Sequence, residues 1–430
     1  MTRLVMIPLV ALLCAPLTAG EAEQANAQKF LESQTALNDA AKGESTLKLR
    51  MLGVSVGKFT IKVEHGEYDG TKCYVVTAAG EFELGGVKSK LAANSRITHN
   101  LHILRETSTE HENDELVKSI EYTDANGVLK VKLFNKKADH EADREVESEV
   151  KPEPRMLVGM AHMLAQVLIP AEAGRKYEFV DWHIEAARSF ALTLEAAGAE
   201  DVAGGKARKV VTHGSDFERG EEGKWEESSK SESVWLSGPS FVRVKFKDGT
   251  LLDSGPDPKR TPISKEALAK QDKELHPAIL FFDAIGAKDE ELLKKAVNMD
   301  RFIDFVIENN EELKDLEPED KAAVKEYLKP EMAKNFFNDE KEKTDVEKKR
   351  EAAVMQLLKH EENFEVIKIE EYTAVVFTGE AKDMFGNMAF YVEKNKEGAW
   401  QVIWVGERPA EKKKPEEKKP GKEKEEEEEY

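Results

Sequence analysis

Cysteine is almost missing from this 430-residue chain, which has two, Cys14 and Cys73. Cys14 lies inside a segment that reads as a leader, so the mature chain keeps one thiol and has no intramolecular disulfide to hold it. Such a chain is held by core burial, which its length supplies. A basic surface is also missing. Asp and Glu number 84 against 64 Lys and Arg, for a net charge of −20. The terminal Glu411–Tyr430 stretch has nine Glu and seven Lys and so contributes little of that charge. No basic stripe interleaved with aromatics appears, which excludes nucleic acid as a partner and disfavours an acidic bilayer surface. Long apolar runs are scarce too. The leader's run from Leu4 to Leu17 is shorter than the ~20 residues that span a bilayer, and it holds Pro8 and Pro16, so the mature chain is expected to have no transmembrane span.

Catalytic signatures are absent as well. No Gly-x-Ser-x-Gly elbow occurs, and Gly198–Lys206 fails the phosphate-loop pattern because Ala207 stands where a hydroxyl is needed. The chain has ten His, but their spacing selects no metal set. His99 and His102 read as lying on opposite faces of one strand, and Asp139, His140 and Asp143 sit in a charged loop. No cofactor and no metal are expected.

What the chain does have begins with Arg3, the apolar leader, and small residues Thr18, Ala19 and Gly20 at a cleavage point. This pattern predicts a signal peptide over 1–20 and an exported protein, periplasmic or extracellular. A lipoprotein signal would lipidate Cys14, but Leu13 precedes it where a small residue is wanted. A helical lead follows over 21–44, with its helix from Gln28 to Ala41. From Ser45, alternation of period two dominates. Leu47, Leu49 and Met51, then Phe59, Ile61 and Val63, share one face, while Lys48, Arg50, Thr60 and Lys62 share the other. Further strands are predicted at Ile97–Leu104, Val128–Phe134, Ser189–Leu194, Lys209–Thr212 and Phe241–Phe246, with turns at Gly85-Gly86 and Asn126-Gly127. So many antiparallel strands must curl. One helix, Arg155–Leu168, lies between Pro154 and Pro170. Its Met156, Met160, Met163 and Val167 form one stripe, and Leu157, Ala161, Leu164 and Leu168 form the next. Arg155, Gly159, His162 and Gln166 form the one stripe that is not apolar. Such a helix is expected to plug the concave face of the sheet.

Prolines 256, 258 and 262 mark a linker over 256–269. Beyond it, helices are predicted at His276–Gly286, Asp289–Val297, Asp300–Asn309 and from Pro318 to Tyr327. Another is capped by Thr344 with Glu347. Strands follow at Phe364–Ile369, Thr373–Thr378, Met388–Val392 and Trp400–Val405. Residues 408–430 read as a disordered charged tail.

The expected fold class is therefore α+β. A strongly curved antiparallel half-barrel with a plug helix (45–255) precedes a smaller, helix-first α+β domain with a curved antiparallel sheet (270–407). Strand Leu47–Met51, the Val56-Gly57-Lys58 step, Tyr74-Val75-Val76 and Val234-Trp235-Leu236 with Phe241–Phe246 resemble the LolA and LolB type of half-barrel. They also resemble a family of bacterial envelope proteins of unknown function that shares it. That resemblance implies a concave apolar face that holds acyl chains, although the carriers cover it with several helices and this chain has one. His276-Pro277 with Phe281, Phe282, Ala284 and Ile285, the Ala287-Lys288-Asp289 step, and Gly398-Ala399-Trp400-Gln401-Val402 resemble the nuclear transport factor 2-like or cystatin-like class, which includes enzymes and non-catalytic modules.

The candidate ligand-binding residues are Met156, Met160, Met163, Leu157, Leu164, Phe59, Ile61 and Val63, because methionine adapts to irregular apolar partners. No catalytic residue is assigned. In the second domain Asp283, Asp300, Tyr327, Tyr372 and His360 are the titratable candidates, and no spacing pairs them. The expected function is that of an exported, non-enzymatic envelope protein binding a lipid or other apolar ligand. The alternative is a structural or adaptor protein that binds an envelope partner without a ligand, and a further one is an enzyme with its pocket in the second domain.

Overall fold

The computed structural model describes residues 20–138, 141, 144–202, 205–219, 225–246, 250–310, 313–337, 344–369 and 372–408. The expected leader, the charged tail from 409, and Asp139, His140 and Asp143 lie outside them. The chain forms two compact units. The first comprises Met1–Ile263, Asp339–Asn363 and Thr378–Met384, and the second Ser264–Asn338, Phe364–Phe377 and Phe385–Tyr430. The sequence reading placed everything from 270 to 407 in one domain. The structure returns two pieces of that span to the first unit.

Helix α1 (Glu21–Ser33) leads. It starts earlier than expected and stops at Ser33, and a separate 3₁₀ turn, Asp39–Ala41, is capped by the Asn38 side chain. Eight strands then run as hairpins: β1 Gly43–Met51, β2 Val54–Tyr68, β3 Thr71–Leu84, β4 Val87–Ile97, β5 Ile103–Glu112, β6 Glu115–Asp124, β7 Leu129–Asn135 and β8 Glu145–Val150. Helix α2 (Ala161–Leu168) follows, then β9 Lys176–His183, β10 Arg188–Val202, β11 Gly205–Arg219, β12 Trp225–Ser237, β13 Ser240–Lys245 and β14 Leu251–Asp253. Among the described residues these make one fourteen-stranded antiparallel sheet, ordered β8-β7-β6-β5-β4-β3-β2-β1-β14-β13-β12-β11-β10-β9.

Alternation sends Leu47, Ile61, Val63, Tyr74, Val76, Leu133, Leu194 and Val234 into one continuous core with Leu157, Met160 and Leu164. Burying a side chain of this size contributes about 1.5–3 kcal/mol, so this core dominates the unit's stability. Helix α1 packs on the core-facing side chains of the edge strand β9. Phe30 of α1 meets Tyr177 and Phe179 edge-on at 5.9 and 6.1 Å.

Three local expectations are corrected. Ile97–Leu104 is not a strand. Leu101 takes a positive φ of 68°, and Thr98 and His102 close a turn through Thr98 N–H to the His102 carbonyl at 2.9 Å. Arg50 does not face water. A bulge falls between Leu49 and Arg50, and the chain after β14 folds over the guanidinium, which is 4% exposed and pairs with Asp253 at 2.5 Å. The expected helix from Arg155 begins only at Ala161. Before it, Met156 bridges Val180 of β9, with Leu157 N–H to the Val180 carbonyl at 2.8 Å. A segment that completes the bonding of an open strand edge has stronger partners there than in a helical turn.

The second unit holds α3 (Lys265–Lys270), α4 (His276–Ala287), α5 (Glu290–Ala296), α6 (Met299–Asn309) and α7 (Pro318–Phe336). A four-stranded antiparallel sheet completes it: β15 (Phe364–Lys368), β16 (Thr373–Phe377), β17 (Met388–Lys394) and β18 (Trp400–Glu407), in that order. Val402 and Ile403, neighbours on opposite faces, are 0% and 2% exposed, so β18 is covered on both sides.

Helix α8 (Asp345–Leu358) has the expected capping box between Thr344 and Glu347. It belongs to the first unit, where Arg350 pairs with Glu112 and donates to the Ser89 hydroxyl at 3.0 Å. The Gly85-Gly86 turn receives it. A Cβ on Gly85, whose φ is +64°, would come within 2.3 Å of the Lys349 carbonyl oxygen. No described helix is long and apolar enough to cross a membrane.

Candidate functional site

The stripe of α2 and its approach that is not apolar is consumed entirely by the sheet. Arg155 donates to the Glu178 carbonyl at 2.9 Å, and Gln166 donates to the Thr212 hydroxyl at 2.9 Å. Gly159 has a φ of +52°, and a Cβ there would sit 2.3 Å from the Glu106 carboxylate. That absence lets Glu106 reach in and accept the Met160 N–H at 2.9 Å, an otherwise open donor where the helix starts. His162 Nε2 stands 2.9 Å from the Leu157 carbonyl and 3.3 Å from Asp181 Oδ1. Both are acceptors, so this nitrogen carries the hydrogen. Arg208 closes the far end of the helix on the carbonyls of Gln166 at 2.9 Å, Val167 at 2.8 Å, and Ile169.

These charges shift one another. Burial pushes the Glu106 carboxyl above the ordinary carboxylate range, against the pull of the Met160 N–H, Ser95 and His162. For His162, burial lowers the value, but the charge and hydrogen bond of Asp181 with the Leu157 carbonyl and Glu106 outweigh it and leave it raised. Tyr122 is pushed far up by burial, with Glu106 and Asp181 adding to it. The knot holds a helix, and His162 in it keeps 22% of its side-chain surface.

An open groove of about 210 Å³ lies beside this knot. It exists because Ala78, Ala93 and Ser108 are direct cross-strand neighbours, giving a row of small residues that ends at Ile120. Phe59 and Leu91 flank this row, and Met160 and Met163 face it from the helix segment. Its two charged lining residues are engaged elsewhere, Glu110 with Lys137 at 2.8 Å and Lys118 with Glu185 at 3.8 Å.

Of the eight residues singled out from the sequence, Phe59, Met160 and Met163 meet at this groove. Ile61, Val63, Leu157 and Leu164 are 2%, 5%, 0% and 1% exposed and fill the core, with Met156 partly buried against it. Sequence reasoning missed Ala78, Ala93 and Ser108, whose small size matters only once the register aligns them. It also missed Glu106 and Asp181, remote in sequence from the helix they hold.

In the second unit, aromatic rings pack on both faces of the four-stranded sheet. Phe282 lies 5.8, 5.7 and 5.3 Å from Phe377, Phe385 and Phe390, and Phe305 stacks on Trp404 at 4.8 Å. The titratable candidates are dispersed. Tyr327 is 71% exposed, Asp300 pairs with Lys329 at the surface, Tyr372 packs edge-on near Phe305, and His360 belongs to the first unit. Among the described residues no group of three or more His, Cys, Asp and Glu could hold a metal.

No family model matches the chain, and no curated protein matches it. A solved beta-barrel-like protein of a domain of unknown function, from Brucella abortus, is similar to it over 49% of this chain and 92% of that one, at 13% identity and a TM-score of 0.32.

Proposed function

We propose that this chain is an exported, non-catalytic envelope protein that holds an apolar ligand, the end of an acyl chain, in the groove between Met160, Met163 and the Ala78–Ala93–Ser108 row. The groove carries the reading. Its lining is apolar apart from Ser108, Thr109 and two charges already paired, so it offers an alkyl chain burial without unpaired polar groups. The accompanying fold is the half-barrel of LolA and LolB type, curled around α2. Support comes from Glu185, between β9 and β10, which reaches Asn135 at the end of β7 at 3.3 Å. In a flat sheet those strands, near opposite ends of the order, would lie about 50 Å apart at about 4.8 Å per strand. The second unit, of nuclear transport factor 2-like or cystatin-like type in this reading, serves as the module that docks a partner.

The adaptor reading is favoured by one observation. The groove is smaller than the roughly 300–1,000 Å³ of ordinary ligand pockets, and the helix fills the rest of the face. Native mass spectrometry of protein purified from its host separates the two. Binding predicts a lipid-sized added mass that disappears in Ala93→Phe, which fills the groove at a cost of about 1–3 kcal/mol. A bare polypeptide mass, together with a folded Met160→Glu that leaves the host unchanged, would sink the ligand reading. A stoichiometric, salt-sensitive protein partner would then support the adaptor.

A further inference from the structure

The outer face of the large sheet pairs opposite charges. Lys132 meets Glu147 at 2.8 Å, Lys130 meets Glu149 at 3.4 Å, and Lys62 meets Glu64 at 2.8 Å. Like charges also stand opposite one another: Lys48 faces Lys58, with Asp257 at 3.2 Å to take up Lys48, and a second such pair lines a pocket. Arg96 of β4 and Arg105 of β5 are direct cross-strand partners. Such partners have Cβ atoms about 4.5–5.5 Å apart, where like charges repel. A guanidinium cannot escape by losing its proton.

Compensation from within the chain is thin. Arg105 has Glu121 at 3.4 Å, a pair with both side chains about half exposed, at 50% and 42%, and exposed pairs of this kind are screened by water and salt. Arg96 donates to the Asn94 side-chain oxygen and to the Ser95 carbonyl at 3.3 Å, neither of which carries a net charge. The two arginines line a pocket of about 210 Å³ with Tyr68, Asn94 and Thr107. Because the Asn94 oxygen is taken by Arg96, its amide nitrogen is left to donate, and the Tyr68 and Thr107 hydroxyls can donate too. No carboxylate lines the pocket. On a chain of net charge −20, two facing guanidinium forks among neutral donors are the arrangement that recognises an oxyanion by paired hydrogen bonds.

We propose that the pocket of Arg96, Arg105, Tyr68, Asn94 and Thr107 binds a phosphate group, carried either by a small solute or by a lipid headgroup. Binding there neutralises the opposed arginines and goes beyond the apolar groove on the other face.

The test titrates inorganic phosphate into the full chain at constant ionic strength, with chloride as the control, and reads the thermal midpoint. The expected result is a saturable rise with phosphate that chloride does not reproduce. Arg96→Gln and Arg105→Gln should each weaken the response at least tenfold, and without phosphate both should melt no lower than the parent. Thr107→Asp, which supplies an internal carboxylate, should abolish the response while leaving the protein folded. A second arm measures sedimentation with vesicles of phosphatidylcholine, with and without phosphatidylglycerol. Arginine-dependent binding to the phosphatidylglycerol vesicles assigns the headgroup, and phosphate binding without vesicle binding assigns the solute. The proposal is overturned if neither phosphate nor these vesicles bind, if chloride matches phosphate, or if the glutamine variants respond like the parent.

Discussion

The two faces of the fourteen-stranded sheet follow opposite rules, and each has its exceptions. On the inner face the rule is apolar contact, and the exception is the knot of Glu106, His162 and Asp181 that fastens helix α2. On the outer face the rule is the pairing of opposite charges, and the exception that lines a pocket is Arg96 opposite Arg105. The inner exception is satisfied by the protein itself: the carboxylate meets an N–H, and the imidazole meets a carboxylate. The outer exception is not. A buried polar group must find its partner during folding, whereas a charge pair open to water can wait for a ligand.

The largest blow to the inner face should come from Gly159→Val. It places a β-branched residue at φ +52° and drives a side chain into the Glu106 carboxylate. The expected loss is about 2–6 kcal/mol, from backbone strain together with a buried group left unpaired, read from the denaturant midpoint. Leu164→Ala, 1% exposed in the core, should cost about 2–5 kcal/mol by the same measurement.

The knot also makes a pH prediction. The folded-state value of His162 is raised above 6.5, so its contribution is complete below about pH 6.5 and is lost as pH rises through the raised value. Glu106, raised from 4.5 by burial, works in the same sense from a lower pH: its neutral form is the one the fold prefers. Denaturation curves should therefore show stability falling from about pH 6.5 upward, and His162→Gln should flatten the fall. An unchanged slope in that variant would remove His162 from the account. The smallest effect belongs to the outer ladder. Lys132→Ala should leave the denaturant midpoint almost unmoved, because its pair with Glu147 is exposed and screened by water. A loss as large as that of Leu164→Ala would erase the contrast between the faces.

Much of the first unit was legible because period two survives in a sheet with one wet face. Leu47, Ile61 and Val63 all turned inward as their alternation requires. The turn at Thr98–His102 was hidden by Leu101, Ile103 and Leu104, apolar residues that read as strand, and no glycine marked the positive φ at Leu101. The short start of α2 was hidden because Arg155–Val158 fits a helical stripe as well as it fits an edge of β9. Pairing with a distant strand decided between them. The position of α8 was illegible for a similar reason: its capping box fixes where a helix begins, not which surface receives it. The groove was half legible. Methionines announced one wall, while the small residues opposite gain meaning only from register.

The return of Asp339–Asn363 to the first unit also sets an order of events along the emerging chain. Strands β3 and β4 can pair as soon as they are made, but their turn at Gly85 must wait for Lys349 and Arg350, made only after α3–α7 of the other unit. Synthesis alone therefore cannot finish the units one after the other. A chain halted at Ile263 would present the Ser89 and Glu112 seat vacant, and a ribosome stalled there offers a direct way to see whether strands β3 and β4 order before the last helix arrives.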